Sequence, residues 1–93
     1  MDDEALDRVE CDLHLGQLIK QELRHQGRKA TWLAQQVKCS PDNIYKLFNQ
    51  RWVAMRLLYE ISWVLDYDFF KVCSDHYVAM MEKRREENKN VVQ

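Results

Sequence analysis

Only two glycines and one proline occur among the 93 residues, and this scarcity of chain-turning residues limits the fold more than any other feature of the sequence. A β-rich fold of this length would need many more tight turns, and Gly and Pro are the residues that form them. The chain is long enough for one domain at most, and its 46% hydrophobic content argues against disorder. We therefore expect a small all-α domain.

Apolar residues recur with the 3.6-residue period of an amphipathic helix in five stretches. The predicted helices cover 14–26, 30–37, 41–48, 55–66 and a fifth stretch that begins at 69. Gly27 is expected to end the first helix with a positive φ, and Ser40 and Asp68 to cap the third and fifth. Pro41 suits the first position of the third helix. The organisation that follows is an acidic N-terminal arm (1–13), a helical domain (14–78) and a charged C-terminal helix or tail (79–93).

The net charge of −1 conceals a segregated distribution. Residues 1–13 carry six acidic residues and one basic residue, whereas residues 14–56 carry eight basic residues and two acidic ones. A surface that meets phosphates would require such a basic segment, although solvated helix faces account for the charges equally well.

Sites for catalysis, metals or cofactors are not expected. The three cysteines and three histidines are scattered, without the paired spacing of a metal site, and the cysteines are expected to be free thiols. Cys73 and His76 lie one helical turn apart, but so small a domain offers no evident pocket, so an enzyme, a cofactor or a small-molecule ligand is not predicted. The acidic N-terminus does not resemble a signal peptide and no apolar run is long enough to span a membrane, which predicts a cytoplasmic protein.

The segment 30–50 carries the pattern of two short helices joined by the three-residue turn 38–40. Such a pair needs apolar anchors in both helices and a small residue where the helices cross. Leu33 and Val37 are the expected anchors of the first helix and Ile44 and Leu47 those of the second, with Ala34 at the crossing. Cys39 is expected to fill the turn as a small apolar residue.

With these residues the chain resembles the phage-repressor and Cro-type helix-turn-helix DNA-binding proteins, the XRE family. The resemblance covers residues 14–70. It is carried by these positions: Leu33, Ala34, Gln35, Val37, Ile44, Leu47, Asn49, Leu57 and Ile61. It implies a five-helix repressor-like domain with a helix-turn-helix and a C-terminal helical extension. It also implies a transcriptional regulator that binds double-stranded DNA, as a homodimer that reads two half-sites.

The resemblance further implies that helix 41–48 enters the major groove. The positions expected to face bases are Pro41, Asp42, Asn43, Tyr45 and Lys46. The positions expected to contact phosphates are Arg28, Lys29, Asn49, Arg51 and Arg56. Three residues depart from the family pattern. Ala30 stands where a phosphate-binding glutamine is common, and Lys38 replaces the turn glycine. Lys29 takes the N-cap position, so Thr31 is expected to cap a shorter helix instead.

Two questions stay open at this stage. The dimer surface is expected on the fifth helix, at Tyr77, Met80 and Met81, or among aromatic residues elsewhere. Those aromatic residues are Trp52, Tyr59 and Trp63, although tryptophans of a helical domain are expected mainly to pack in the core. The alternative function is a protein-interaction module, an antitoxin-like or anti-activator partner, on the same fold with weak or no DNA readout.

Overall fold

Five α-helices follow one another in the computed structural model, which describes residues 13–91, with side chains described for residues 13–86. They are α1 (Leu15–His25), α2 (Ala30–Gln36), α3 (Pro41–Phe48), α4 (Met55–Leu65) and α5 (Phe69–Val91). The described residues contain no strand, so the predicted all-α class is confirmed. Residues 1–12 of the predicted acidic arm lie outside the described residues.

The chain divides into two compact units, of which the first ends at Val53 and the second begins at Ala54. The first unit contains α1, α2 and α3, and the second contains α4 and α5. In the first unit the helices bury one apolar face each. The buried side chains of these helices are Leu15, Ile19, Leu23, Leu33, Ala34, Ile44, Leu47 and Phe48.

Residues 38–40 form the predicted turn between α2 and α3. Lys38 has a φ of 57°, in the left-handed region that a glycine would adopt without strain. The Cys39 amide donates to the Ala34 carbonyl oxygen at 2.9 Å, which satisfies an acceptor at the end of α2. Ser40 Oγ then accepts a hydrogen bond from the Asn43 amide at 3.2 Å, so the predicted N-cap of α3 is confirmed.

The start of α2 agrees with the predicted range 30–37, but its N-cap differs from the prediction. The helix begins at Ala30, with Lys29 in the N-cap position and no side-chain capping bond, so the expected cap by Thr31 is wrong. Lysine offers no acceptor for the first-turn amides, and α2 nevertheless keeps its first turn because Leu33 and Ala34 are buried within the helix. Packing therefore outweighs the missing cap.

The N-terminus of α1 lies directly against the chain that leaves α3. The amides of Leu15 and Gly16 donate to the carbonyl oxygens of Arg51 and Gln50 at 2.9 and 3.0 Å. Gln17 Nε2 donates to the Phe48 carbonyl oxygen at 2.9 Å. First-turn amides and last-turn carbonyls have no partners inside their own helices, so each helix end satisfies groups of the other.

In the second unit, α4 and α5 are joined by a short turn. Asp66 ends α4 with a φ of 51°, and Asp68 Oδ1 accepts from the Lys71 amide at 3.0 Å, which confirms the predicted cap of α5. The ring centroids of Tyr59 and Phe70 lie 4.8 Å apart. From Phe69, α5 continues without a break past residue 79, where the charged segment was predicted to begin.

For two of the three tryptophans the expected packing in the core is wrong, and the alternative, that they are exposed, is confirmed. Trp52 is exposed, and Trp63 on α4 is 88% exposed. Trp32 is half-buried beneath a guanidinium group. All three tryptophans therefore lie at least partly at the surface of the protein.

Candidate nucleic-acid interface

The helix α3 separates its apolar and polar residues onto opposite faces. Ile44, Leu47 and Phe48 are buried, because they anchor α3 in the first unit. The five residues predicted to face bases are all exposed: Pro41, Asp42, Asn43, Tyr45 and Lys46. This face begins at the capped N-terminus of α3, which the Ser40 hydroxyl holds in place.

Polar groups on this exposed face are available for a ligand. Asp42 and Lys46 are one helical turn apart and lie on the same side of α3. Neither side chain forms a hydrogen bond or an ion pair with another of the described residues. The Tyr45 ring stands edge-on to that of Phe48, with centroids 6.0 Å apart, and so covers the flank of the helix.

Two predicted phosphate-contacting residues, Arg28 and Lys29, precede α2, and both are exposed. The Arg28 guanidinium carbon lies 4.3 Å from the centroid of the Trp32 ring, one turn further along the chain. Such stacking restricts the arginine side chain while its N–H groups stay accessible at the edge of the plane. Arg28 is therefore partly ordered before any anion binds.

Asn49 and Arg51 are exposed in the segment that leaves α3. Asn49 is the C-cap residue of α3, and the Arg51 carbonyl oxygen accepts from the Leu15 amide. The backbone of this segment is thus held by α1 at two successive carbonyl groups. Sequence reasoning found the two side chains but missed the residues that position them, Gly16 and Gln17. The sequence signal that could have found them is Gly16 itself. A glycine in the first turn of a helix lowers stability, so its presence there indicates that another backbone segment approaches closely.

Arg56 is the one predicted contact residue that belongs to the second unit. It lies in the first turn of α4, where its Nε is 3.8 Å from Glu60 Oε1. The other nine predicted residues all belong to the first unit.

Basic side chains dominate the exposed surface of residues 14–56. Seven of the eight lysines and arginines in this range are exposed, and Lys20, whose Nζ lies 5.9 Å from the centroid of the Phe48 ring, is half-buried. Glu22 is half-buried and accepts a hydrogen bond from Gln26, so Asp42 is the one fully exposed acidic residue among residues 14–56. Within the first unit, residues 14–53 therefore expose six basic side chains against one exposed acidic side chain, that of Asp42.

Comparisons with models of known protein families, with curated proteins and with solved structures find no match. The likeness to the XRE family therefore stays a prediction from the residues. Among the described residues no three His, Cys, Asp or Glu side chains come together in a group that would hold a metal ion. None of the described helices is both long enough and apolar enough to cross a membrane.

Proposed function

We propose that this chain is a sequence-specific DNA-binding transcriptional regulator. In this proposal a homodimer reads a palindromic operator, and each copy inserts α3 into the major groove. The observation that carries the proposal is the exposed polar face of α3, which is anchored from behind by Ile44 and Leu47. An α-helix fits the major groove, and the bases display there a distinct pattern of hydrogen-bond donors and acceptors.

Each polar residue of this face has a base that it is suited to read. The Lys46 ammonium donates to O6 and N7 of guanine, and the Asn43 amide pairs with N6 and N7 of adenine. The Asp42 carboxylate accepts from N4 of cytosine, which gives this acidic residue a role on the face of α3 that meets bases. Pro41 offers apolar contact to a thymine methyl group.

Residues around α3 supply the contacts that hold the helix in register. Arg28, Lys29, Asn49 and Arg51 are exposed, and phosphate contacts of this kind orient a protein on the duplex without reading sequence. The stacking of Arg28 on Trp32 supports the proposal, because a preordered arginine loses less side-chain entropy when it binds a phosphate. Arg56, on α4, remains a predicted phosphate contact.

The experiment that tests this function is a selection of bound duplexes from random DNA with the full chain. We expect an enriched motif of two inverted half-sites whose centres lie about one helical turn, roughly 34 Å, apart or a multiple of it. The triple variant Asp42→Ala, Asn43→Ala, Lys46→Ala should lose the motif while keeping its helical circular dichroism spectrum. The variant Gln21→Ala, which alters an exposed residue of α1, is the control and should keep it. Failure of the intact chain to enrich any motif would refute the proposal.

A second candidate function is a protein-interaction module on the same fold, of the antitoxin-like or anti-activator kind. Two observations favour it: the exposed carboxylate of Asp42 on the face of α3, and the 88% exposed side chain of Trp63. A gel-shift assay with fragments of the native locus separates the candidates, because an interaction module leaves all fragments unshifted at physiological salt.

A further inference from the structure

Three large apolar side chains are exposed along one face of α4. Met55, Tyr59 and Trp63 follow one another at intervals of four residues and are 64%, 65% and 88% exposed. Residues four apart lie one above the other on a helix, so the three side chains form a continuous ridge, which we call the α4 ridge. The buried residues of α4 are Leu58, Ile61 and Leu65, and they lie on a different face of the helix from the ridge. A contiguous exposed apolar surface of this kind is typical of an interaction site.

Two charges flank the α4 ridge on one side, and their order indicates what covers it. Arg56 and Glu60 follow Met55 and Tyr59 by one position each and pair weakly at 3.8 Å, with side chains 93% and 44% exposed. When two copies of a helix pack antiparallel about a two-fold axis, the same flank of each helix lies next to that of the other. The residues of the two flanks then run in opposite directions. Arg56 then lies opposite the partner's Glu60, and Glu60 lies opposite the partner's Arg56. In a parallel pair the two charged flanks would lie on opposite sides of the contact and the charges would not meet, so only the antiparallel orientation brings Arg56 close to the partner's Glu60.

We propose that the α4 ridge is the contact between two copies of this chain, packed antiparallel across a two-fold axis that passes between Leu58 and Tyr59. In this arrangement Trp63 lies over the partner's Met55, a contact between an aromatic ring and a thioether that is favourable in itself. The inference deepens the proposed function, because it assigns the surface through which the DNA-binding homodimer forms. It also gives Arg56 a second partner besides its own Glu60.

The size of the ridge sets the strength of this dimer. Aromatic side chains bury about 150–250 Å² each, so the exposed parts of the three side chains amount to about 400 Å² per copy. The total of about 800 Å² lies below the roughly 1,000 Å² that a stable interface exceeds, and is typical of weak, transient association. We therefore expect a dimer with a micromolar dissociation constant that adjacent half-sites on DNA stabilise further.

The competing surface is the exposed part of α5 around Tyr77. Tyr77 is 61% exposed, nearly as much as Tyr59, and its neighbour Val78 is 48% exposed, whereas Met80 and Met81 are half-buried. Charged residues follow directly, from Glu82 to Glu86, and all of them are exposed. The α4 ridge therefore has the larger exposed apolar surface, and Tyr77 provides a matched control.

The first test compares Trp63→Ser with Tyr77→Ser by sedimentation equilibrium in the absence of DNA. Both substitutions alter exposed residues, so both variants should keep their helical spectrum. Trp63→Ser should weaken the dimer by about 30-fold, the effect expected when a large aromatic side chain is removed from both sides of an interface, while Tyr77→Ser leaves it nearly unchanged. The inference is overturned if Tyr77→Ser dissociates the dimer and Trp63→Ser does not, or if the unaltered chain is monomeric at high micromolar concentration.

The second test uses the two charges and needs no change of the ridge itself. Arg56→Glu and Glu60→Arg should each weaken self-association by about tenfold, because each replaces two attractions across the axis by two repulsions. A mixture of the two variants should form the heterodimer in preference, and the double variant Arg56→Glu, Glu60→Arg should dimerise like the original chain. The ion pair within one chain cannot produce rescue between chains. If the mixture associates no better than its components, the antiparallel contact is wrong.

These measurements stand apart from the test of DNA binding. Trp63→Ser should still bind a duplex with a single half-site as tightly as the unaltered chain, and should lose only the gain from the second half-site. Dimerisation through the α4 ridge without any selected DNA motif would sustain this inference and refute the proposed function. A selected motif with a dimer that tolerates Trp63→Ser would do the reverse.

Discussion

Lys46 and Arg51 are both exposed and basic, yet they have different expected roles in the first unit. Lys46 lies on the exposed face of α3, where it would meet a base edge, whereas Arg51 lies in the segment after the helix. Replacing Lys46 by Ala should change the preferred base at one position of each half-site, at a cost of roughly 1–3 kcal/mol for the original base. Arg51→Ala should weaken all sequences alike, since a phosphate contact carries no base information.

Fluorescence anisotropy with a panel of single-base operator variants measures this difference. Lys83→Ala, at an exposed position of α5, is the control for loss of one positive charge. A uniform loss of affinity in Lys46→Ala would show that Lys46 contacts the backbone, and that α3 docks in another register.

Gly16 is important for the stability of the fold, because backbone atoms of another segment lie close to it. A Cβ built on Gly16 would lie 2.5 Å from the Gln50 carbonyl oxygen and 2.7 Å from that of Phe48. These atoms belong to the backbone at the end of α3, so they cannot rotate away. We expect Gly16→Ala to lower the free energy of unfolding by about 3 kcal/mol, measured by urea denaturation.

Gly27→Ala is the matched control for this substitution. Gly27 has a φ of 69° but open space around its Cα, so only the strain of a left-handed alanine applies, about 1 kcal/mol. Equal losses in the two variants would mean that the close approach of α1 to the end of α3 does not hold in solution.

At the scale of the elements, the turn between α2 and α3 stores backbone strain at Lys38. Its φ of 57° is unfavourable for any residue with a Cβ. Lys38→Gly should therefore raise the free energy of unfolding by about 1 kcal/mol, after the larger backbone entropy that glycine has in the unfolded chain. Lys38→Ala removes the same charge but keeps the Cβ, and should give no gain in the same denaturation experiment. If both variants gained equally, the relief would come from charge and not from the backbone.

Helix boundaries were predictable to within one residue because the signals that end helices are local. Gly27, Ser40 and Asp68 act within three or four residues of their own positions, and all three have the expected roles. Only the cap of α2 was misjudged, because the capping preference of Thr31 is weak beside the burial of Leu33. Local rules fail where packing supplies the larger free energy.

The side chains of the candidate site could be predicted from the sequence, but the backbone hydrogen bonds that position them could not. Exposure of the polar face of α3 follows from the periodicity that buries Ile44 and Leu47. By contrast, the bonds from α1 to Gln50 and Arg51 join residues more than thirty positions apart. No period or local motif reports such contacts. The exposure of Trp63 was predicted only as an alternative to packing in the core, since average burial preferences favour buried tryptophans and do not single out the exposed ones.

For the molecule as a whole, the segregation of charge predicts how binding responds to salt. Residues 14–56 carry eight basic residues, and about four of them per copy are expected to meet phosphates. A dimer would then neutralise roughly eight phosphates, and the logarithm of the association constant should fall with the logarithm of salt concentration with a slope near −7.

Titration of one selected operator at several salt concentrations gives this slope directly. Arg28→Ala should reduce its magnitude by about two, because each copy loses one phosphate contact. A slope shallower than about −2 for the unaltered chain would mean that the basic segment is not the binding surface.

The contact between α1 and the chain that leaves α3 also has a consequence for hydrogen exchange. Amides in the first turn of a helix normally exchange with solvent at once, because they have no acceptor within the helix. The amides of Leu15 and Gly16 instead have acceptors at Arg51 and Gln50, and both residues are buried. They can exchange only when α1 separates from that distant segment. We therefore expect their protection to equal that of the Ile44 and Leu47 amides in the interior of α3, while Thr31, in the uncapped first turn of α2, exchanges rapidly. Deuterium uptake followed by NMR measures all five. Rapid loss of the Leu15 and Gly16 signals would show that the two ends open independently. Slow and equal loss means that the beginning of α1 opens only when the whole first unit unfolds.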